Sequence, residues 1–79
     1  MEFPQYRRYK NGKSYFKIIN VNSFIEYKLS LKHIEEFKIV AIILPDRNYI
    51  QDMLTDYEDF WEIIEEKDLT NFLSQHPLK

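Results

Sequence analysis

Residues 37–44, Phe37-Lys38-Ile39-Val40-Ala41-Ile42-Ile43-Leu44, contain the longest apolar run of this 79-residue chain. Six consecutive apolar residues follow Lys38, and Pro45 ends the run. A short run of mostly β-branched residues that stops at a proline is typical of a strand buried on both faces, and it is too short to span a membrane. The sequence therefore predicts a central strand over residues 37–44, which needs an apolar cover on each side.

The residues on both sides of this run predict further strands. Strict alternation of apolar and polar residues over 25–32 favours a half-exposed strand, whose apolar members are Ile25, Tyr27, Leu29 and Leu31. A helix over 24–34 is the alternative, because Ser23 and Glu26 have the spacing of a capping box. Residues 33–36 are expected to turn the chain into the central strand, and a proline turn at 45–48 is expected to lead to a strand at 49–54.

A β-hairpin is predicted near the N-terminus. Asn11-Gly12 separates two strand-like runs, and this dipeptide favours a two-residue hairpin loop because both positions need a positive φ. Such a loop places Arg8 opposite Tyr15. One face of the hairpin then carries basic and aromatic side chains, namely Tyr6, Arg8, Lys10, Lys13, Tyr15 and Lys17. The other face presents apolar side chains to the core, namely Tyr9, Phe16 and Ile18.

The C-terminal part predicts a short strand and a helix. Residues 60–64 favour a strand, and a helix over 57–64 is the alternative, because Thr55 and Glu58 have capping-box spacing. Residues 66–75 favour a helix that ends before Pro77, with an apolar stripe formed by Leu69, Phe72 and Leu73.

The predicted order is six strands and one helix joined by short connections, which favours an antiparallel meander. We therefore predict one small α+β domain over residues 1–79. It consists of a mainly antiparallel, curled sheet of about five to six strands with one C-terminal helix packed on it. One helix covers one sheet face only, so the other face needs either further curling of the sheet or a second subunit. A homodimer is the expected assembly.

Composition excludes several classes of site. The chain has no cysteine, which excludes disulfides and cysteine-ligated zinc, and one glycine, which excludes a glycine-rich phosphate loop. No signal sequence and no membrane-spanning run are visible, so a soluble cytoplasmic protein without membrane association is expected. Residues 1–40 carry a net charge of +4 and residues 41–79 carry −6, which means either two differently charged surfaces or halves that neutralise each other.

Three segments of the chain resemble a group of short bacterial proteins without assigned function. The segments are residues 11–17, 44–54 and 60–63, with the sequences NGKSYFK, LPDRNYIQDML and FWEI. The resemblance covers most of the chain. It implies no activity, cofactor or site, because none is known for that group.

Two sets of residues are candidates for binding. The basic and aromatic hairpin face has the composition that suits a nucleic-acid backbone with stacked bases, or an acidic protein surface. The ordinary alternative is a solvated face in which Arg8 stacks on Tyr15. The aromatic residues Tyr57, Phe60 and Trp61 are candidate interface anchors, although a lone tryptophan in so small a domain is more often part of the core.

No catalytic or metal-binding motif is visible. The acidic residues of the second half lack the glycine of a calcium loop, and neither histidine has zinc-site spacing. No catalytic residue, metal site or cofactor is therefore predicted. The sequence favours a non-enzymatic interaction or accessory module that acts through its sheet surface. Such a module is expected to bind a second copy of itself or another protein. A nucleic-acid-associated protein that uses the hairpin face is the alternative.

Overall fold

The computed structural model describes residues 2–78. Over these residues the chain forms five strands and two helices: β1 (Gln5–Tyr9), β2 (Ser14–Asn20), β3 (Ser23–Ser30), β4 (His33–Val40), α1 (Leu44–Thr55), β5 (Trp61–Ile64) and α2 (Glu66–Gln75). The strands form one sheet with the order β4-β3-β2-β1-β5, and all neighbours are antiparallel. The predicted α+β class and antiparallel sheet are confirmed, with five strands and with a second helix that was not predicted.

The N-terminal hairpin has the predicted register. Arg8 lies opposite Tyr15, and Tyr6 lies opposite Lys17. Gly12 has a φ of +75°, and its backbone N–H donates to the Tyr9 carbonyl at 2.8 Å. Strand β1 ends at Tyr9 and β2 begins at Ser14, so the connection between them contains four residues and not the predicted two. Glycine is needed here because a side chain is disfavoured at this φ.

The alternation over residues 25–32 forms a strand, as predicted, and the competing helix is wrong. Strand β3 pairs along its whole length with β4, and Ser30 lies opposite His33. The turn between them is therefore Leu31-Lys32, two residues earlier than the predicted turn at 33–36. Residues 33–36 belong to β4.

The prediction of a strand over 37–44 that is buried on both faces is wrong. Only residues 37–40 lie in a strand, and that strand is β4 at the edge of the sheet. Ala41 is buried, whereas Val40, Ile42, Ile43 and Leu44 are from 60% to 78% exposed. Leu44 already begins α1. The apolar run is thus divided between a sheet edge, a connection and the first turn of a helix.

The predicted turn at 45–48 and strand at 49–54 are also wrong, because residues 44–55 form helix α1. Proline is compatible with the first helical turn, where its missing N–H has no acceptor within the helix. The buried residues of α1 are Ile50, Met53 and Leu54. Their spacing of three and four residues is the period of a helix, and it places all three on one face.

The two helices cover opposite faces of the sheet. Helix α1 packs Ile50, Met53 and Leu54 on the first core, whose sheet residues include Phe16, Ile18, Phe24 and Trp61. Helix α2 packs Leu69 and Phe72 on the second core, whose sheet residues include Tyr27 and Ile34. The hairpin face that was predicted to be apolar, with Tyr9, Phe16 and Ile18, packs in the first core, as expected. The second cover thus comes from the same chain and not from a second subunit.

The C-terminal predictions are confirmed. The segment 60–64 forms strand β5 at Trp61–Ile64, and the helix occupies residues 66–75. Helix α2 begins with a capping box in which Asp68 accepts a hydrogen bond from the Glu65 backbone N–H at 2.9 Å. Neither helix is long and apolar enough to cross a membrane, as far as the described residues extend.

Candidate functional site

The basic and aromatic face of the hairpin lies beneath α2. The Tyr15 ring stacks on Phe72, with 3.9 Å between centroids and 13° between planes. The Tyr6 hydroxyl donates to Glu66 at 3.1 Å. Burial, with the neighbouring Glu66 carboxylate, raises the pKa of Tyr6. Neither tyrosine therefore offers an open ring platform for stacked bases.

Arg8 on the same face is held by two side chains. Its guanidinium donates to Glu62 at 2.7 Å and to the Tyr15 hydroxyl at 3.3 Å. The guanidinium carbon also lies 5.6 Å from the centre of the Tyr15 ring. This is the Arg8–Tyr15 stacking expected if the hairpin face is an ordinary surface and not a binding site. The hydrogen bond to Tyr15 and the bond to Glu62 raise the pKa of Arg8. Because its charge is paired with a carboxylate, Arg8 is poorly placed to bind a phosphate.

The three lysines of this face are not gathered into one patch. Lys10 and Lys13 are exposed in the hairpin connection, and Lys17 is half-buried in β2. The structure thus brings Tyr6, Arg8 and Tyr15 together under α2 and leaves two lysines at the hairpin tip.

The three predicted interface anchors have different environments. Trp61 is 5% exposed and stacks on Tyr9 at 5.5 Å, so it belongs to the first core. Tyr57 is half-buried and packs against that core. Phe60 is 64% exposed and meets Trp61 edge-on at 6.0 Å. Of the three, only Phe60 presents most of its surface to solvent.

Sequence reasoning missed Arg7, a buried cation. It is 3% exposed on the α1 side of the sheet, and its Nε donates to the Met53 carbonyl at 2.7 Å. Its other nitrogens donate to the Tyr6 carbonyl and to the Gln5 side chain, each at 2.8 Å. The guanidinium also lies 5.1 Å from the Tyr57 ring centre. Burial lowers the pKa of Arg7. These contacts tie β1 to the last turn of α1, which is a structural role.

One side of strand β4 faces no other strand of residues 2–78. Ile34 donates its N–H to the Pro77 carbonyl at 2.8 Å, so residues 77–78 cover the start of this edge. Ala41 donates inward to the Asn22 carbonyl at 2.6 Å. Because backbone groups alternate in direction along an antiparallel strand, Glu36, Lys38 and Val40 aim their N–H and C=O groups outward. We call these three residues the β4 edge. Their inward side faces β3, and no strand of residues 2–78 pairs with their outward side.

An exposed apolar surface continues from the β4 edge. Five residues from 55% to 78% exposed form this surface, which we call the apolar patch: Val21, Val40, Ile42, Ile43 and Leu44. Val21 is included because the carbonyl of its neighbour Asn22 accepts a hydrogen bond from the Ala41 N–H, which holds this turn next to the apolar run. A groove of about 560 Å³ follows the same strand and is lined by Glu26, Lys28, Glu36, Phe37, Lys38 and Ile39. Contiguous exposed apolar surface of this kind marks binding sites in soluble proteins.

The acidic residues do not converge on a metal site. Across residues 2–78, no group of three His, Asp or Glu side chains is close enough to hold a metal ion.

Comparison with known proteins finds no matching family model, no similar curated protein and no similar solved structure.

Proposed function

We propose that this protein is a non-enzymatic interaction module that binds protein partners through the β4 edge and the apolar patch, and that a second copy of the chain is such a partner. The observation that carries the proposal is an open strand edge beside exposed isoleucine, valine and leucine side chains. Both sheet faces are occupied by helices, so the edges of the sheet remain accessible. Of the two edge strands, β4 is longer than β5 and continues into the apolar patch.

The backbone of the β4 edge supports strand addition. An edge strand offers unpaired N–H and C=O groups, and another chain satisfies them by adding a strand to the sheet. Natural proteins usually protect such edges with prolines, bulges or inward-pointing charges. Here the C-terminal residues 77–78 protect the edge at Ile34, and within the described residues this protection does not reach Glu36.

The charge order of the β4 edge supports a second copy as the occupant. Glu36 and Lys38 lie on one face of β4, on either side of Phe37. In an antiparallel pair of β4 strands centred on Phe37, Glu36 of each copy lies opposite Lys38 of the other. Opposite charges at facing positions stabilise a strand pair by about 0.2–1 kcal/mol each. The same symmetry brings the two Phe37 side chains together at the centre. Residues 77–78 limit this pairing to the part of β4 from Glu36 onward.

Nucleic-acid binding by the hairpin face has less support. Stacking of bases needs open aromatic rings, and unpaired cations are needed for phosphates. Tyr15 is stacked on Phe72, and Arg8 is paired with Glu62.

The proposal is tested by measuring the oligomeric state of the full chain by sedimentation velocity over a wide range of concentration. The expected result is a monomer–dimer equilibrium that Val40→Glu combined with Ile42→Glu shifts to monomer. Both side chains are exposed, so this variant should fold. Ile63→Glu on β5 is the matched control, because Ile63 is similarly exposed at the opposite edge of the sheet. It should leave the equilibrium unchanged.

A charge exchange tests the arrangement within the dimer. Glu36→Lys alone and Lys38→Glu alone each place like charges opposite one another twice per dimer, and each should weaken association about tenfold. The double variant restores opposite charges and should recover most of the affinity. A chain that stays monomeric at every concentration would contradict self-association. Single variants that dimerise like the wild type would contradict the pairing centred on Phe37.

A further inference from the structure

A cavity of about 590 Å³ lies beside the hairpin tip, the C-terminal half of α1 and the start of β5. It is lined by four aromatic residues, three aspartates and two other polar residues: Tyr9, Tyr49, Phe60 and Trp61; Asp52, Asp56 and Asp59; Lys10 and Asn11. Its volume lies within the range of small-molecule sites, which is roughly 300–1,000 Å³. The cavity is separate from the β4 edge, and none of its lining residues belongs to the apolar patch.

The aromatic residues form a connected wall. Tyr9 stacks on Trp61 at 5.5 Å, and Tyr49 meets Trp61 edge-on at 5.4 Å. The hydroxyls of Tyr9 and Tyr49 are hydrogen-bonded to each other. Phe60 stands at the rim with most of its surface exposed. This mutual packing fixes the wall in place. Trp61 is nearly buried, so a ligand meets mainly the exposed ring of Phe60 and the accessible parts of Tyr9 and Tyr49.

The aspartates surround the rim of the cavity. Asp52, Asp56 and Asp59 are all exposed, and none of them forms an ion pair with any described residue. Lys10 is the single cation among the lining residues, so the lining carries an excess of negative charge. A cleft lined by one sign of charge raises the local concentration of ligands of the opposite sign.

Trp61 adds an unusual feature to this wall. Its indole N–H is buried and has no hydrogen-bond acceptor within the part of the chain that the structure describes. An unpaired buried donor costs about 1–3 kcal/mol, and native proteins keep few of them. This donor requires an acceptor oxygen and not a cation, so the attraction of the cavity for a cation comes from its aromatic and acidic residues.

We propose that this cavity binds an organic cation that carries a methylated ammonium group. Aromatic faces attract such groups through the ring quadrupole, and surrounding carboxylates add a longer-range attraction. A bare metal ion fits less well, because it needs several oxygen ligands at once, and no three acidic side chains of residues 2–78 converge sufficiently. A methylated ammonium group has a diffuse charge and is weakly hydrated, so it does not need several oxygen ligands at one point.

Trp61 makes the proposal directly measurable, because it is the only tryptophan of the chain. Choline is titrated into the full chain, and the tryptophan fluorescence is followed. The matched ligand is 3,3-dimethylbutan-1-ol, which has the shape of choline without its charge. We expect saturable binding of choline and at least fivefold weaker binding of the neutral alcohol. Equal responses to the two ligands would overturn the proposal.

Variants at the rim test the two parts of the site. Phe60→Ala and Asp59→Asn should each weaken choline binding about fivefold, and both positions are exposed, so both variants should fold. Ile63→Ala is the matched control, because Ile63 is a similarly exposed apolar residue outside both the cavity lining and the β4 edge. Unchanged affinity in both rim variants would contradict the assignment of this cavity.

A methylated ammonium group occurs both in free small molecules and on trimethylated lysine side chains. The fluorescence titration is therefore repeated with a short peptide that contains trimethyllysine and with the same peptide containing unmodified lysine. Tighter binding of the trimethyllysine peptide than of choline assigns the site to a modified protein, and the reverse order assigns it to a free small molecule. Failure of both ligands to bind would overturn the proposal without affecting self-association through β4.

Discussion

Arg7 shows how one residue joins two elements. Its position in the hairpin alternation places it on the same face as Tyr9 and Phe16, which is the face toward the first core. A charge there is stabilised because backbone and side-chain oxygens accept hydrogen bonds from its N–H groups. One of these acceptors is the Met53 carbonyl in the last turn of α1. The negative end of a helix dipole also favours a cation at that place. The sequence could not identify this acceptor, because Met53 lies 46 residues away and was predicted to be in a strand.

Arg7→Lys is expected to lower the free energy of unfolding by about 1–3 kcal/mol. Lysine has the same charge but cannot reproduce the planar fork that reaches three acceptors. Arg8→Lys is the matched control, because its ion pair with Glu62 is partly exposed and should contribute less than about 1 kcal/mol. Urea denaturation measures both variants. An equal or larger loss in the control would show that burial of Arg7 is not what stabilises the fold.

At the scale of elements, segments with one clear period were predicted correctly, and segments whose period depends on context were not. The Asn-Gly hairpin, the alternation in β3 and the stripe of α2 each contain a complete local signal. Residues 37–44 do not, because an apolar run has no period and its burial depends on what lies beside it. The spacing of Ile50, Met53 and Leu54 does carry a helical signal, and the prediction of a proline turn followed by a strand overlooked it.

The turn between β3 and β4 is the element whose local sequence is least suited to its conformation. Leu31 has a φ of +59° and is 91% exposed, so it is in the left-handed region without compensating packing. Such a conformation costs a residue with a side chain about 1–2 kcal/mol. No turn signal such as Asn-Gly marks this position, which is why the predicted turn fell two residues too late.

Leu31→Gly is expected to raise the free energy of unfolding by about 0.5–1 kcal/mol. Relief of the strain exceeds the extra entropy that glycine gives to the unfolded chain. Leu31→Ala is the control, because it removes the exposed side chain and keeps the strained backbone. Thermal denaturation of both variants distinguishes the two effects. A gain in the alanine variant as large as that in the glycine variant would assign the stabilisation to loss of the apolar side chain.

At the scale of the whole molecule, the aromatic residues determine how stability responds to alkaline pH. Burial raises the pKa of Tyr49 far above its ordinary value, with a contribution from its hydrogen bond to Tyr9. Burial also raises the pKa of Tyr27, near Glu36, and the pKa of Tyr6, which is bonded to Glu66. The folded state therefore holds these protons more tightly than the unfolded state does. Because the unfolded chain loses its protons first, stability falls as the pH rises above about 10.

The melting temperature is expected to be nearly constant from neutral pH to about pH 10 and to fall steadily above that value. Tyr49→Phe removes one of the titrating groups, so its melting temperature should fall less steeply in the alkaline range. The variant also loses the hydrogen bond to Tyr9, so the comparison uses the slope against pH and not the absolute value. An alkaline slope identical to that of the wild type would contradict the role of Tyr49.

The charge asymmetry between the two halves of the chain is only slightly neutralised by ion pairs. Of the ion pairs formed by residues 2–78, Arg8–Glu62 alone joins the first half to the second, and the others lie between near neighbours in sequence. The excess negative charge of the second half appears at the cavity rim, where Asp52, Asp56 and Asp59 lie close to the hairpin tip.

The sequence by itself determined the hairpin and its register, the alternating strand β3, the short strand β5 and the helix α2, because each of these depends on residues within a few positions of one another. Only the tertiary structure decided that the apolar run 37–44 lies at an open edge, that residues 44–55 form a helix and that the aromatic face of the hairpin is covered. It also assembled the Arg7 contacts and the cavity from residues far apart in the chain. Burial is a property of neighbours in space, and a sequence gives neighbours only along the chain.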